Sequence, residues 1–582
     1  MRTPRPLHTM TPPLYAKGPI QTPCTGVELL NTPHLNKGTA FPLEERRRFG
    51  LGALLPTAVD TLDQQLDRAW RQYQSQDNDL ARNTFLTSLK EQNEVLYYRL
   101  VLDHISEVFG IIYTPTEGKA IQNYSSIFRR SEGIFLNIHE IDQVDQALAK
   151  GGNPEDVDYI VVTDGEEILG IGDQGVGGIL ISIAKLALMT ICGGIHPGRV
   201  LPVVLDCGTD NQKHLDDPLY LGLREKRVRG GKYDKFIDTF VHSARQRFPK
   251  AMLHFEDFGL ANARRILDKY RCKVPCFNDD VQGTGCVTLA AIQAALDLSN
   301  QDLSDMRLVI FGAGSAGVGI ADQVRNAIAT HSNISKEEAA KQIWLIDKPG
   351  LLTADADTKS SDAQKKFLRN PEEWKDQDKS LFGVVKKIKP NVLIGTSTVP
   401  GSFTKEIVQQ MASQIERPII LPLSNPTELH EAVPKDLLHW TNGKALIATG
   451  SPFDPVTGPW GDNRAEIQVT PAECNNSVVF PGIGLGSVLS RARWVTDEML
   501  VAAVEGVASM SPSRNDPKAA LLPGVDMARS VSVRVACNVI KASVKGEVAT
   551  QSGIPTNDEE LESWVQEQMW QAEYRPLELY KT

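Results

Sequence analysis

No apolar run of about 18 residues occurs in this 582-residue chain, so nothing in it reads as a membrane-spanning helix. Long Lys/Arg blocks are missing too, and the net charge is −10, which argues against nucleic acid as the main partner. Cysteine is sparse. The eight cysteines are scattered, and the one close pair, Cys272 and Cys276, lacks a second pair with which to hold zinc, so a reduced compartment is the simplest account. The first 27 residues contain no acid but carry Arg2, Arg5 and Lys17 among Thr and Pro. Such a start suits a mitochondrial transit peptide or a disordered cytosolic tail. The chain as a whole is 41% hydrophobic and 23% charged, the balance of a globular protein, and is too long for one core.

Structure is expected from about Leu43, with a short helix over LEERRRFGLGALLP stopping before Pro56. Apolar residues then recur at helical spacing from Val59 to Phe109 (Leu62, Leu66, Trp70; Leu86, Leu89; Leu96, Leu100), predicting a helical leading domain. FGIIYTPTEGKAI reads as a strand-like run in which Tyr113 precedes Thr-Pro. After Phe135 the pattern becomes α/β: strand YIVVTD, loop ILGIGDQGVGG, apolar helix ILISIAKLALMTICGG, strand RVLPVVLD. Lys185 is the odd residue in that helix. It either snorkels to water or sits in apolar surroundings that lower its pKa and make it a base. Later strand-like pieces are NVLIGTS, PIILPLSNP, ALIATGSPF and NSVVFPGIG, and helices follow Asp497.

The stretch Met252 to Gly285 carries the clearest chemistry. Two short apolar strands flank a helix, and both end in acids: Glu256 and Asp257 after the first, Asp279 and Asp280 after the second. Ligands of open α/β sheets bind at that edge. Carboxylates gathered there repel one another unless a cation lies among them, and oxygen-only ligands suit Mg²⁺ or Mn²⁺.

G-x-G-x-x-G occurs twice, at Gly170, Gly172, Gly175 and at Gly312, Gly314, Gly317. The motif alone is weak. The second loop (Gly312, Ala313, Gly314, Ser315, Ala316, Gly317) is uncharged and opens straight into a helix, so its N–H groups suit a pyrophosphate, with Asp347 placed for the ribose hydroxyls. The first holds Asp173, which would repel phosphate, and reads as a tight turn lining a substrate cleft. Asp347 leans towards NAD, while Lys348 keeps NADP open.

With these pieces in place the chain resembles the malic enzyme family. The matching stretches are YTPTEG (113–118), VVTDGEEILGIGDQGVGG (161–178), AKLALMT (184–190), HFEDFG (254–259), FNDDVQGTG (277–285), GAGSAG, LSNPTE (423–428) and NNSVVFPG (475–482), in order beyond about residue 40. The resemblance implies oxidative decarboxylation of (S)-malate to pyruvate and CO₂ with NAD or NADP, the alternatives being malolactic chemistry and a non-catalytic dinucleotide-binding relative. It implies Glu256, Asp257 and Asp280 as ligands of Mg²⁺ or Mn²⁺, with Asp280 also near the cofactor. Lys185 is implied as general base, assisted by Asp279, and Tyr113 as general acid. Asn425, Asn475 and Asn476 are implied to contact malate or the nicotinamide region. A homotetramer is implied as well. Two departures stand out: Glu167 occupies the position of a malate-clamping arginine, and Gln92 that of one of two arginines tied to fumarate activation, Arg68 matching the other.

The expected architecture is α/β: a tail (1–39), a helical N-terminal domain (40–130), a parallel-sheet metal and substrate domain (131–280, completed by 470–540), an inserted Rossmann-like dinucleotide-binding domain (281–469) and a terminal segment (541–582).

Overall fold

The computed structural model describes residues 18–355, 360–425, 427–461 and 464–580. The first 17 residues of the expected tail, and Pro426 of LSNPTE, lie outside them. The chain divides into two compact units, residues 1–259 with 553–582, and residues 260–552. Among the described residues no helix is long and apolar enough to cross a membrane.

Among the described residues of the first unit, the first regular element starts at Ile20, earlier than the local pattern indicates. Strand β1 (Ile20–Thr22) pairs in parallel with Leu577–Leu579, a partner over 550 residues away that no local window reveals. The LEERRR helix spans Leu43–Arg48 and ends well before Pro56. Four helices follow: Leu62–Gln74, opened by a Thr61/Gln64 capping box, Asp79–Gln92, Glu94–Asp103 and Ile105–Ile112. The last corrects the strand reading of FGIIYTPTEGKAI. Val108, Phe109, Ile111 and Ile112 are buried together at helical spacing, and the helix stops at Tyr113 before Thr-Pro. A parallel sheet follows, of β2 (Ile134–Asn137), β3 (Tyr159–Thr163), β4 (Val200–Asp206) and β5 (Met252–Phe255), hydrogen-bonded in the order β2-β4-β3-β5. β3 and β5 are buried at every position, which is why they read as largely apolar runs.

The second unit starts with the helix Leu260–Tyr270 and β6 (Cys276–Asn278). Its sheet contains β7 (Leu308–Phe311), β8 (Ile343–Asp347), β9 (Gly350–Leu351), β10 (Val392–Gly395), β11 (Ile419–Pro422) and β12 (Leu446–Thr449). A hairpin of β13 (Val456–Trp460) and β14 (Ala465–Val469) precedes β15 (Ala472–Glu473). The order is β15-β12-β11-β10-β7-β8-β9, parallel but for β9, so the winding reverses between β7 and β10. NSVVFPGIG is not a strand. It forms a single 3₁₀ turn and then the helix Phe480–Ser490, whose glycines admit close packing: a Cβ on Gly482 or Gly486 would come within 2.5 Å or 2.8 Å of Val535 or Val539.

Candidate active site

In the first unit, the helix Ile179–Ile191 places Lys185 among buried apolar neighbours, with 2% of its side chain exposed. Its Nζ lies 2.9 Å from Glu256 Oε1 at the end of β5, and Glu256 is equally buried. The other carboxylate oxygen, Oε2, lies 2.7 Å from His254 Nε2, and His254 Nδ1 lies 2.9 Å from the Tyr159 hydroxyl. A neutral His254 protonated on Nε2 satisfies both contacts, donating to Glu256 and accepting from Tyr159. Burial alone would raise the Glu256 pKa, but the Lys185 charge and the His254 hydrogen bond outweigh it and hold the carboxyl below its ordinary value. Tyr113 terminates its helix and is 6% exposed, with Lys185 Nζ 5.4 Å from its ring centre.

Asp257 has φ 53° and Leu169 φ 45°, both left-handed without being glycine. They meet: Leu169 N–H donates to Asp257 Oδ2 at 3.1 Å, and Glu167 N–H to the Asp257 carbonyl at 3.2 Å. Each such residue costs about 1–2 kcal/mol, strain of the kind that gathers at functional sites. Burial, together with Glu166 and Asp173, raises the Glu167 pKa. Two adjacent buried carboxylates, oxygen donors only, suit a hard divalent cation.

The first glycine loop is a turn built around Asp173. Its carboxylate accepts from Arg227 Nε (2.7 Å) and Nη2 (2.9 Å), Thr209 Oγ1 (2.9 Å), and the N–H groups of Asp210 (2.7 Å) and Gly175 (2.9 Å). Every acceptor direction is used within the protein.

In the second unit, β6 ends in Asn278, whose Oδ1 accepts from Val281 N–H at 2.9 Å, and Asp279–Gly283 form one π-helical turn. Such turns recur at functional sites. Asp279 is fully buried over Gly283, where a Cβ would come 1.8 Å from its Oδ1, and Asp280 is half-buried. Asn476 Nδ2 donates to the Asp279 carbonyl and to Thr284 Oγ1, each at 3.2 Å, while Asn475 Oδ1 accepts from Ser477 N–H at 3.0 Å. Asn425 is exposed and accepts from Ser451 Oγ at 2.5 Å.

The second glycine loop leaves β7 at the point where the sheet winding reverses. Gly312 has φ 109°, and a Cβ there would lie 2.4 Å from the Thr396 backbone, whose Oγ1 donates to the Gly312 carbonyl at 2.7 Å. Gly317 packs against the Gly312 carbonyl. Gly314 is exposed with nothing within 4 Å of its would-be Cβ, and Ser315 opens the helix Ser315–Ser332. Ala313 O accepts from Gln364 Nε2 at 2.8 Å, and Asp347 ends β8, accepting from Lys348 N–H at 2.8 Å. The loop thus has an uncharged, open mouth at a helix N-terminus.

Two family models match the chain, "Malic enzyme, N-terminal domain" over residues 90–271 and "Malic enzyme, NAD binding domain" over residues 281–544. The chain belongs to the malic enzyme family. It is 49% identical to the mitochondrial NAD-dependent malic enzyme of Saccharomyces cerevisiae, covering 97% of this chain and 85% of that protein. It is 48% identical to NAD-dependent malic enzyme 3 of Bacillus subtilis, covering 96% and 98%. The fold is similar to that of the Entamoeba histolytica malic enzyme, with TM-score 0.53 at 22% identity over 90% of this chain and 91% of that one.

Against this malic enzyme frame, the side chains missing from the sequence reading are the supporting ones. His254 lies in β5 and Glu256 just past its end, two residues on, so in extended chain they share a face, a signal present in HFEDFG. Tyr159 and Arg227 gave none, because their partners lie in distant segments.

Proposed function

We propose that this chain catalyses the NAD-dependent, metal-assisted oxidative decarboxylation of (S)-malate to pyruvate and CO₂. The observation that supports it most is the buried Lys185–Glu256 pair beside Tyr113 at the carboxyl end of β5. Glu256 and Asp257, with Asp280 from the second strand end, are the residues that would hold the divalent ion. When bound, such an ion would supply Lewis-acid polarisation of the malate oxygens, and NAD would supply the hydride acceptor.

The chain's own groups move the protons. Lys185, in its neutral form, accepts the C2 hydroxyl proton. His254 orients Glu256, so the carboxylate presents a fixed edge to Lys185. Tyr113 returns a proton to C3 after CO₂ has left, the acid to the lysine's base. Asp279, with its main chain held by Asn476, is assigned to assist Lys185, and Asn425 and Asn475 to contact substrate or nicotinamide. Malate, Mn²⁺ and NAD should give NADH and CO₂ in equal amounts. CO₂ without NADH would mean malolactic chemistry and end this reading.

A homotetramer, which the family resemblance implies, is proposed as well, with light scattering as its test. Fumarate should leave malate affinity unchanged. Arg68 is paired with Asp60 at 2.9 Å, and the neutral Gln92 donates to Ser88 Oγ at 3.0 Å, so a second cation for a dicarboxylate is missing at that position. Initial rates with and without fumarate decide it.

A further inference from the structure

Glu431 is fully buried, yet no cation pairs with it among the described residues. Its Oε1 instead accepts three hydrogen bonds, from Ser397 N–H (2.8 Å), Ser397 Oγ (2.8 Å) and Ser424 Oγ (2.6 Å), while Oε2 has no hydrogen-bond partner. The carboxyl lies flat on Gly395, where a Cβ would come 2.4 Å from its Cδ. Ser424 Oγ in turn accepts from Thr398 N–H at 2.8 Å, and Ser397 Oγ from Val399 N–H at 3.1 Å. One carboxylate therefore fastens the loop after β10 to the loop after β11. The same β10 loop is tied to the dinucleotide loop through Thr396 and the Gly312 carbonyl.

What is held is strained. Thr398 has φ 56°, which a β-branched residue scarcely adopts unsupported. The N–H contact to Ser424 keeps it there, and leaves an exposed lip of Thr398, Val399 and Pro400, with Val399 49% exposed. In a doubly wound sheet, a dinucleotide with its pyrophosphate at the β7 loop lays its second half over the strands beyond the switch point, here β10 and β11.

We infer that Glu431 is a positioning residue for the nicotinamide half of the dinucleotide, fixing the Thr398–Pro400 lip through Ser397 and Ser424. This rests on the NAD-binding reading of the β7 loop. The role belongs to Oε1 as an acceptor, so glutamine, whose carbonyl takes that place, replaces it.

Direct titration with NADH, malate KM and thermal midpoints of three variants test this. Glu431→Ala should weaken NADH binding about tenfold with malate KM little changed, Ser424→Ala about threefold, and Glu431→Gln should bind within about twofold of the parent. A lower midpoint with unchanged NADH affinity in Glu431→Ala would show a merely structural role and overturn the inference. So would Glu431→Gln binding as poorly as Glu431→Ala. If the alanine variant does not fold, Ser424→Ala decides: unchanged affinity overturns the inference, and weakened affinity upholds it. Failure of the parent enzyme itself to bind NADH would instead refute the dinucleotide reading beneath it.

Discussion

The two glycine loops are spelled alike and built differently. At Gly170–Gly175 the turn closes on its own acid: Asp173 uses its lone pairs on Arg227, Thr209 and two N–H groups, and nothing is left for a ligand. At Gly312–Gly317 the glycines leave space. Gly312 and Gly317 are pressed against backbone, but Gly314 faces open solvent at the start of a five-turn helix. The spacing of glycines records where a chain bends sharply. Whether the bend binds phosphate depends on the charge inside it and on the helix that follows.

This contrast predicts separable failures, one on each side of the reaction. Lys185→Ala should lower kcat about a thousandfold, as loss of a general base does, while NADH binds as before. Equal loss of NADH affinity in that variant would erase the distinction between a chemical and a dinucleotide unit. On the other side, Gly312→Ala sets a Cβ 2.4 Å from the Thr396 main chain at φ 109° and should weaken NADH binding about a hundredfold while also lowering the thermal midpoint. Gly314→Ala sharpens the point. Its Cβ meets no protein atom, so the midpoint should hold and only NADH affinity should fall. Titrating both variants with NADH checks this.

The first loop should fail as structure. The Arg227–Asp173 pair has side chains 1% and 13% exposed, and breaking such a pair costs about 3 kcal/mol. Arg227→Ala should thus destabilise the protein by that order in denaturant unfolding. Asp173 adds a pH signature. Burial pushes its pKa up, but Arg227 pulls it further down, below the ordinary 3.8. A depressed folded-state pKa gives stability that is present above the ordinary value and lost as pH falls through the depressed one. The parent should therefore lose stability below about pH 4, and Asp173→Asn should lack that component.

The legible parts of the molecule were those written locally. β3, β4, β5 and β8 read directly as apolar runs, and Lys185 stood out as one charge in an apolar helix. Misreadings came where two structures share a local pattern. Ile111 and Ile112 suit a strand as well as a helix, and only their burial with Val108 settles it, while NSVVFPGIG is β-branched in composition but helical because Gly482 and Gly486 admit Val535 and Val539. Illegible altogether were pairings across long separations: Ile20 with Leu577, Asp173 with Arg227, Glu431 with Ser397. Motif spelling pointed to the groups proposed to meet substrate, whereas the groups that hold them belong to tertiary structure.

The smallest expected effect lies at the entrance to the first loop. Glu167 adds negative charge to a strand-end region that already contains Glu166, Asp173 and Asp257, and its own carboxyl is pushed up in pKa by burial, Glu166 and Asp173. An anionic substrate approaching that region meets repulsion of roughly 0.5–1 kcal/mol per unit charge in a largely solvated cleft, a factor of a few in affinity. Glu167→Gln should therefore lower the malate KM about threefold, with kcat and NADH affinity unchanged. Glu167→Arg should lower it further. The loop's structural character is not at stake in either variant, because Asp173 and Arg227 are untouched and Glu167 contributes only its N–H to the Asp257 carbonyl. A rise in malate KM on removing the charge would mean that Glu167 favours substrate binding, and the first loop would then take part in recognition instead of merely bounding the cleft.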